Sequence, residues 1–283
     1  MFYEGTEKRL EIIVKPANLL ALPESFWKEL VTRTGALILS KIENTHICAY
    51  LLSESSLFVW PDRFLLITCG NTHLVKAAQF FQQHHPKEQL KALLFQRHQA
   101  IQPTLQKSNF QQDSLQLNMT LQGIQKHWQD AYQGDLFFFG KLTLQDLNNK
   151  HILMMHGLSG AFAALLHSGK ASTEDIESKL ALEHFFSYML IDQFTFSPKG
   201  YSLNAISQHN YLTIHITPEK LSSYLSLETN FTLARIKPFI THLIGLLNPL
   251  KSQLMHFTNN HDQGIEVSVT KAEDLVINTK GMK

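Results

Sequence analysis

Four short polar segments carry the side chains of this sequence that could do chemistry. Residues 53–56 read Ser-Glu-Ser-Ser, and they are followed by Thr-Cys-Gly at 68–70, Gly-Tyr-Ser-Leu-Asn at 200–204 and Thr-Ile-His-Ile-Thr-Pro-Glu at 213–219. A serine acts as a nucleophile only beside an activating base and a group that stabilises an oxyanion. Taken alone, residues 53–56 are therefore most simply a hairpin turn between two apolar runs. The later thiol and imidazole add the groups that nucleophilic and acid–base catalysis would need.

Apolar patterning predicts an α+β fold in which strands dominate. Alternating or continuous apolar runs, typical of strands, occur at residues 10–14, 36–41, 46–52, 63–68, 92–96, 136–142, 152–155, 211–217, 223–228 and 253–258. Helical spacing occurs at residues 23–31, 72–83, 113–125, 173–188 and 234–247. Because several strands are separated only by turn-length segments, and no GxGxxG follows a strand, we expect antiparallel sheets with helices on their faces.

Composition excludes several classes of function. The 283 residues carry 25 Lys and Arg against 24 Asp and Glu, so no net field favours nucleic acid or an anionic membrane. The charged N-terminus is unlike a secretory signal, and the longest apolar tract is too short for a bilayer, so a cytoplasmic protein is expected. The two cysteines, Cys48 and Cys69, make neither a disulfide framework nor a zinc site, and no metal is expected. Cys48 is interpreted as a core residue.

Five motifs, in order along the chain, resemble those of one enzyme family. They are Tyr-Glu-Gly-Thr-Glu-Lys at 3–8, Leu-Ser-Glu-Ser-Ser at 52–56, Thr-Cys-Gly at 68–70, Gly-Tyr-Ser at 200–202 and Thr-Ile-His-Ile-Thr-Pro-Glu at 213–219. The sequence resembles the eukaryotic type of S-adenosylmethionine decarboxylase, a pyruvoyl-dependent family, from residue 3 to about residue 258. The resemblance implies a four-layer αββα sandwich, in which two large antiparallel sheets face each other and helices flank them.

The resemblance also implies how the chain would make its cofactor. Ser55 would attack the carbonyl of Glu54, and elimination of the resulting ester would leave a dehydroalanine that hydrolyses to a pyruvoyl group. One domain, residues 1–283, would thereby be cut into a β chain (1–54) and an α chain (55–283). The new ketone would form a Schiff base with S-adenosylmethionine and accept the electrons released with carbon dioxide. Neither pyridoxal phosphate nor a metal is then required, and the product would serve spermidine and spermine synthesis.

Three further residues acquire catalytic roles from the resemblance. Strand alternation puts His215 on the same side as Thr213 and Thr217, and the matching family histidine removes the proton that drives ester elimination. Ser202 matches a serine that stabilises the intermediate of the acyl shift. Cys69 matches the thiol that protonates the substrate α-carbon after decarboxylation. Without the resemblance, these residues would be a structural histidine, a turn hydroxyl and a small buried side chain.

The resemblance places the substrate S-adenosylmethionine between two aromatic rings. Tyr3 and Phe196 match the rings that stack on adenine and face the sulfonium cation. Tyr3 departs from the usual phenylalanine, but its ring face is intact. Glu219 matches the carboxylate that accepts hydrogen bonds from the ribose hydroxyls, and the backbone of Leu52 matches the segment that holds the adenine edge.

A charged pocket that binds the activator putrescine in some relatives is altered in this sequence. The carboxylates that match it are Glu7, Glu11 and Glu228, whereas an acidic pair elsewhere aligns with Leu147 and His151. Arg9 stands where plant relatives, which need no putrescine, have an arginine. A guanidinium can neutralise buried carboxylates as a bound diamine would, so we expect a putrescine-independent protein.

Two other functions stay open from the sequence. A protein with this scaffold could decarboxylate ornithine or arginine, although Tyr3, Phe196 and Glu219 would then have no task. It could instead be an inactive paralogue that activates a partner subunit, although Ser55 and His215 are retained. The family contains monomers and dimers, so a homodimer remains an alternative to a monomer.

Overall fold

The computed structural model describes residues 7–15, 18–100, 102–128, 134–147, 150–219, 222–260 and 264–277. The chain divides into two compact units, Met1–Thr143 and Leu144–Lys283, and each contains one antiparallel sheet with helices. The predicted α+β class with two large antiparallel sheets is confirmed. Within these described ranges, no helix is long and apolar enough to cross a membrane.

The first unit is built on an eight-stranded sheet. Its strands are β1 (Lys8–Val14), β2 (Ile38–Glu43), β3 (Cys48–Leu52), β4 (Ser55–Val59), β5 (Arg63–Thr68), β6 (Leu90–His98), β7 (Ile124–Trp128) and β8 (Gly134–Gly140). They pair in the order β2-β3-β4-β5-β1-β6-β8-β7, so the first strand of the chain lies inside the sheet. The helices are α1 (Glu24–Thr34), α2 (Val75–His84) and α3 (Phe110–Asn118), with short 3-10 helices at Leu19–Ala21, Lys87–Gln89 and Pro103–Leu105.

Strand β1 shows how the sequence divides the two faces of this sheet. Leu10 and Ile12 lie in a hydrophobic core with Trp27 of α1 and Phe81 of α2. Since side chains alternate along a strand, Arg9 and its odd-numbered neighbours point to the opposite face. Both faces of β1 are buried, so its charged residues are inside the protein and must be paired there.

The second unit is built on a seven-stranded sheet. Its strands are β9 (His151–His156), β10 (Leu190–Thr195), β11 (Tyr201–Ser207), β12 (Asn210–Thr217), β13 (Tyr224–Thr229), β14 (Lys251–Asn260) and β15 (Gly264–Lys271), in the order β10-β11-β12-β13-β9-β14-β15. Its helices are α4 (Leu144–Leu147), α5 (Gly160–Ser168), α6 (Thr173–Leu180), α7 (Leu182–Phe186), α8 (Leu233–Leu247) and α9 (Ala272–Ile277). Leu203 and Ile214 of the sheet share a core with Phe239 and Leu243 of α8.

Two predicted helices differ from the structure. The segment 173–188 is split into α6 and α7, because Ala181 adopts a left-handed φ of 54° that ends the first helix. The segment 113–125 is a shorter and earlier helix, α3, which begins after the capping residue Asn109. The chain then passes Gly123, where a Cβ would lie 2.2 Å from the Phe137 ring, and enters β7. Strands β7, β10, β11 and β15 and helices α4, α5 and α9 were not predicted.

Candidate active site

The serine-rich segment is a tight connection between β3 and β4. The predicted hairpin is confirmed, but its turn is shorter than the predicted residues 53–56, because Leu52 pairs directly with Ser55 and only Ser53 and Glu54 form the turn. The turn is anchored at its base, since the Ser53 N–H donates to the Leu37 carbonyl (2.8 Å) and the Leu37 N–H donates to Ser53 Oγ (3.0 Å). The bond between Glu54 and Ser55 therefore lies at the exact junction of the turn with β4.

Ser55 has an unusual backbone and an unusual side-chain environment. Its φ is 135°, a conformation that favours glycine and costs another residue about 1–3 kcal/mol. The residue is only 2% exposed, and its Oγ has no hydrogen-bond partner among the described residues. A buried hydroxyl without a partner is destabilising, so this position is poorly explained by stability alone.

The carbonyl of Glu54 is held by Cys69. The Cys69 N–H donates to this oxygen at 2.9 Å, and the Cys69 Sγ lies 3.5 Å from the same atom. A backbone N–H aimed at a carbonyl oxygen can stabilise the negative charge that develops there during nucleophilic attack. The fold thus brings Glu54, Ser55 and Cys69 together, although Cys69 is fourteen residues beyond Ser55 in the chain.

The turn that carries Cys69 brings Gly70, in a conformation that favours glycine, against the Glu54 side chain. Gly70 has a φ of 63°, and a Cβ at this position would lie 2.6 Å from the Glu54 Oε2. Burial raises the pKa of the Glu54 carboxyl, while the positive charges of Lys8 and Lys107 act against that increase. The Thr-Cys-Gly motif therefore places a thiol and a glycine against the same turn.

In the second unit, Ser202 and His215 lie directly opposite each other on β11 and β12. Ser202 Oγ is 2.9 Å from His215 Nδ1, and Thr213 Oγ1 is 2.9 Å from His215 Nε2. Thr213 also donates its hydroxyl proton to Asn204 Oδ1 at 3.1 Å. Because a threonine hydroxyl has a single proton, Thr213 accepts the bond from His215 Nε2–H. In the neutral form of His215 the proton is therefore on Nε2, and Nδ1 carries the basic lone pair.

The sequence predicted the shared face of Thr213 and His215 but gave Thr213 and Asn204 no role. All four members of this group, Ser202, Asn204, Thr213 and His215, are buried. The pattern that could have found Asn204 is its spacing of two residues from Ser202, since both then point to one side of β11. The buried network fixes the ring of His215 and its tautomer.

The predicted substrate residues are placed as follows. Phe196 is half-buried and lies edge-on to Phe194, with 4.9 Å between ring centroids. Glu219 accepts a hydrogen bond from Ser222 through Oε2 (2.8 Å), whereas its buried Oε1 has no partner in the described part of the chain. Leu52 is fully buried in β3. Tyr3 lies outside the described residues.

The three carboxylates of the predicted charged pocket are all buried, and each contacts a basic side chain within its own unit. Arg9 is ion-paired with Glu7, and Arg63 Nη1 lies 3.4 Å from Glu11 Oε1. In the second unit, Lys150 Nζ lies 3.4 Å from Glu228 Oε1, which also accepts a hydrogen bond from the Tyr211 hydroxyl at 2.8 Å. From the sequence, only Arg9 was expected to neutralise these carboxylates, and the structure adds contacts from Arg63 and Lys150.

His151, which from the sequence was expected to align with an acidic position of some relatives, contacts another imidazole. Its Nδ1 is 2.8 Å from the Nδ1 of His256, directly opposite on β14. Burial and, to a smaller extent, the nearby His256 lower the pKa of His151 to about 4. His151 is therefore neutral at pH 7 and supplies no negative charge.

No metal centre is formed by the residues that the structure describes, because they contain no group of three His, Cys, Asp or Glu side chains with suitable spacing. Cys48 and Cys69 are both buried free thiols. The local geometry would fit a pyruvoyl group made from Ser55. The Ser55 hydroxyl has no hydrogen-bond partner among the described residues, and it follows the Glu54 carbonyl to which the Cys69 N–H donates.

Comparison with known proteins finds relatives over most of the chain. Residues 1–283 match the family Adenosylmethionine decarboxylase. The chain is 29% identical over 277 residues to the S-adenosylmethionine decarboxylase proenzyme of Dictyostelium discoideum, covering 87% of this chain and 72% of the relative. It is 28% identical over 280 residues to that of Xenopus laevis, covering 91% and 84%.

A solved structure has the same fold. The crystal structure of the Trypanosoma brucei AdoMetDC-delta26 monomer superimposes with a TM-score of 0.57 at 22% identity, over 72% of this chain and 80% of that one. The Trypanosoma cruzi proenzyme is 30% identical over 290 residues, covering 90% of this chain and 75% of the relative. This chain belongs to the adenosylmethionine decarboxylase family of enzymes.

Proposed function

We propose that this chain is a proenzyme that cleaves itself between Glu54 and Ser55 and then decarboxylates S-adenosylmethionine. The observation that carries the proposal is the Glu54 carbonyl, held by the Cys69 N–H and followed by a buried, strained Ser55. The product would be the aminopropyl donor for spermidine and spermine synthesis. The family resemblance supports a cytoplasmic location.

Self-cleavage begins with an acyl shift. Ser55 Oγ attacks the Glu54 carbonyl carbon, the bond from that carbon to the Ser55 nitrogen breaks, and an ester replaces the amide. The hydroxyl proton passes to the nitrogen that leaves. During attack, negative charge develops on the carbonyl oxygen, to which Cys69 N–H already donates at 2.9 Å. We assign Ser202 a supporting role in stabilising this intermediate.

Elimination then breaks the ester. We assign to His215 the removal of the Ser55 Cα proton, after which the Cβ–Oγ bond breaks and Glu54 leaves with its new carboxylate. The dehydroalanine that remains takes up water and loses ammonia, which gives the pyruvoyl group at the start of the α chain, 55–283. The neutral tautomer with its lone pair on Nδ1 suits His215 for this role.

The pyruvoyl group, when formed, supplies the ketone that condenses with the substrate amine and draws electrons as carbon dioxide leaves. The chain's own residues would bind the substrate and supply a proton. We assign adenine stacking to Phe196 and Tyr3, adenine-edge contacts to the backbone of Leu52, and the ribose hydroxyls to Glu219. The buried Glu219 Oε1, which has no partner among the described residues, can accept such a bond.

Mass spectrometry of the purified chain tests the proposal. We expect two fragments that meet at Glu54 and Ser55, the second beginning with a pyruvoyl group, and carbon dioxide release from carboxyl-labelled S-adenosylmethionine. An uncut chain would instead support an inactive paralogue. Cleavage together with release from labelled ornithine or arginine, and none from S-adenosylmethionine, would support the alternative substrate class.

Cys69→Ala is expected to bind substrate but to turn over slowly. The thiol is the proposed proton donor to the substrate α-carbon, and loss of a positioned general acid typically costs ~10² to 10⁴ in rate. Single-turnover kinetics and product analysis measure this loss. Cleavage should continue at a reduced rate, because the backbone N–H that contacts Glu54 remains.

Cys48→Ala is the matched control, since Cys48 is also a buried free thiol but lies at the far end of β3 from the turn. It should retain turnover. Unimpaired turnover with clean product in Cys69→Ala would remove Cys69 from the mechanism.

Processing and decarboxylation are expected to be near maximal without putrescine. Leu147 and His151 stand where an acidic pair is expected in relatives that bind putrescine. The three remaining carboxylates of the pocket contact Arg9, Arg63 and Lys150. Arg9→Leu should weaken both activities, because removing one partner of a buried ion pair costs about 3–5 kcal/mol. Activity with and without millimolar putrescine measures the effect.

Arg33→Leu is the matched control, because Arg33 pairs with Glu29 on the exposed surface of α1. This variant should behave like the wild type in both assays. Strong stimulation of the wild type by putrescine would show that a diamine site persists and that the role given to Arg9 is wrong.

A further inference from the structure

Lys8 is a buried cation beside the turn that carries Cys69. Its side chain lies at the start of β1 and the residue is 1% exposed. Its Nζ donates to the Gly70 carbonyl at 2.8 Å, to the Thr72 carbonyl at 3.0 Å and to Thr72 Oγ1 at 3.3 Å. A lysine ammonium has three protons, so all three are used on this one turn.

A short chain of hydrogen bonds connects Lys8 to the Glu54 carbonyl. Thr72 Oγ1 donates to the Cys69 carbonyl at 2.9 Å and lies 2.7 Å from Thr68 Oγ1, from which it accepts. The Cys69 N–H donates in turn to Glu54 at 2.9 Å. Both backbone groups of Cys69 are therefore hydrogen-bonded. Its carbonyl accepts from Thr72, and its N–H donates to the carbonyl of the peptide bond that would be cleaved.

The sheet register places Lys8 in the row of residues that contains Ser55. Lys8 pairs with Thr68 of β5, and Thr68 pairs with Ser55 of β4. On its other side Lys8 pairs with Arg97 of β6. The backbone of Lys8 is thus hydrogen-bonded into the interior of the sheet, so its side chain extends from a rigid element.

The charges around Lys8 determine when it is protonated. Burial is the main cause that lowers its pKa, which falls to about 8. Among the charged groups that face it, the Arg97 cation also lowers the pKa of Lys8. The acids Cys69, Asp113 and Glu54 raise it. Asp113 is itself bonded to Arg97 at 2.6 Å and lies 3.4 Å from His73. The ammonium therefore predominates at pH 7 and is lost as the pH rises through 8.

We propose that Lys8 is a positioning residue for self-cleavage, whose ammonium holds residues 69–72 so that the Cys69 N–H stays on the Glu54 carbonyl during the acyl shift. A neutral amine has only two protons and leaves one of the three acceptors without its donor. The inference rests on the proposed self-cleavage and adds a residue that makes no contact with the reacting atoms.

Lys8→Met tests the inference by removing the charge while keeping an unbranched side chain. We expect self-cleavage to slow about 10- to 100-fold, the loss typical of a small misplacement of a catalytic group. Hydroxylamine should release no extra fragments, because the step that slows is ester formation. Lys15→Met is the control, since Lys15 follows the same strand but is exposed, and it should cleave at the wild-type rate.

Variants at Thr72 keep the proposal testable if Lys8→Met fails to fold. Thr72→Val removes the hydroxyl that links Lys8 to Cys69 and should slow cleavage in the same way, whereas Thr72→Ser keeps the hydroxyl and should restore it. The wild-type cleavage rate should also fall above pH 8, and this decline should be absent from Lys8→Met.

Normal cleavage by Lys8→Met, accumulation of an ester in that variant, or an unchanged decline above pH 8 would each overturn the role of Lys8. Equal rates for Thr72→Val and Thr72→Ser would break the proposed link through Thr72. Failure of the wild type to cleave between Glu54 and Ser55 would instead refute the proposed function, so the two failures are distinguishable.

Discussion

Ser55→Ala is expected to remain a single uncut chain that releases no carbon dioxide from S-adenosylmethionine. Without Oγ no ester can form at Glu54, and without the ester no ketone can follow. A denaturing gel and intact-mass measurement, taken days after purification, would show the loss. Ser56→Ala is the matched control, because Ser56 is the next residue of β4 and is equally buried, and it should cleave.

Two uncleavable variants separate the chemistry of Ser55 from its backbone strain. Glycine normally destabilises a strand by about 0.5–1 kcal/mol relative to alanine. At a φ of 135° the order should reverse, because glycine adopts this conformation without the cost that alanine meets. We therefore expect Ser55→Gly to unfold at higher urea concentration than Ser55→Ala. If Ser55→Ala were the more stable variant, the precursor would not be strained at this residue. Cleavage of Ser55→Ala would show that Ser55 is not the nucleophile.

His215→Ala is expected to stop after the acyl shift, with the ester intact. Loss of a general base typically lowers a rate by ~10² to 10⁴, so elimination should become far slower than ester formation. Hydroxylamine attacks esters but not ordinary amides, and it should cut this variant between Glu54 and Ser55. Gel densitometry with and without hydroxylamine measures the trapped fraction.

His209→Ala provides the control, because His209 is an exposed residue in the turn that joins β11 to β12. It should mature normally. Maturation of His215→Ala at the wild-type rate would make its role structural, and its bonds to Ser202 and Thr213 would then only stabilise the second sheet.

The sequence contained the candidate groups but not their relation in space. Strand alternation correctly predicted that Thr213 and His215 share a face, because that depends only on a period of two residues. The contact of Cys69 with Glu54 depends on the pairing of β4 with β5, which no local pattern encodes. From the sequence, Lys8 is only one residue of a motif. Its role could not be predicted, because its three acceptors follow Cys69 and lie more than sixty positions away in the chain.

Local propensity failed where tertiary contacts determine the backbone. The predicted helix over 173–188 has continuous helical spacing, yet Ala181 turns left-handed and the chain changes direction there. Lys150 was likewise overlooked as a cation for Glu228, because their pairing depends on the adjacency of β9 and β13. In both cases the missing information is which strands and helices are neighbours.

The strand order of the first sheet has a consequence for the cleaved protein. A cut after Glu54 would leave β1, β2 and β3 on one chain and β4 to β8 on the other, yet β1 lies between β5 and β6, and β3 pairs with β4. The two products are interleaved and cannot dissociate without breaking three ladders. Unfolding would change from a unimolecular to a bimolecular equilibrium, so the melting temperature of the mature protein should rise with its concentration, whereas that of the precursor should not.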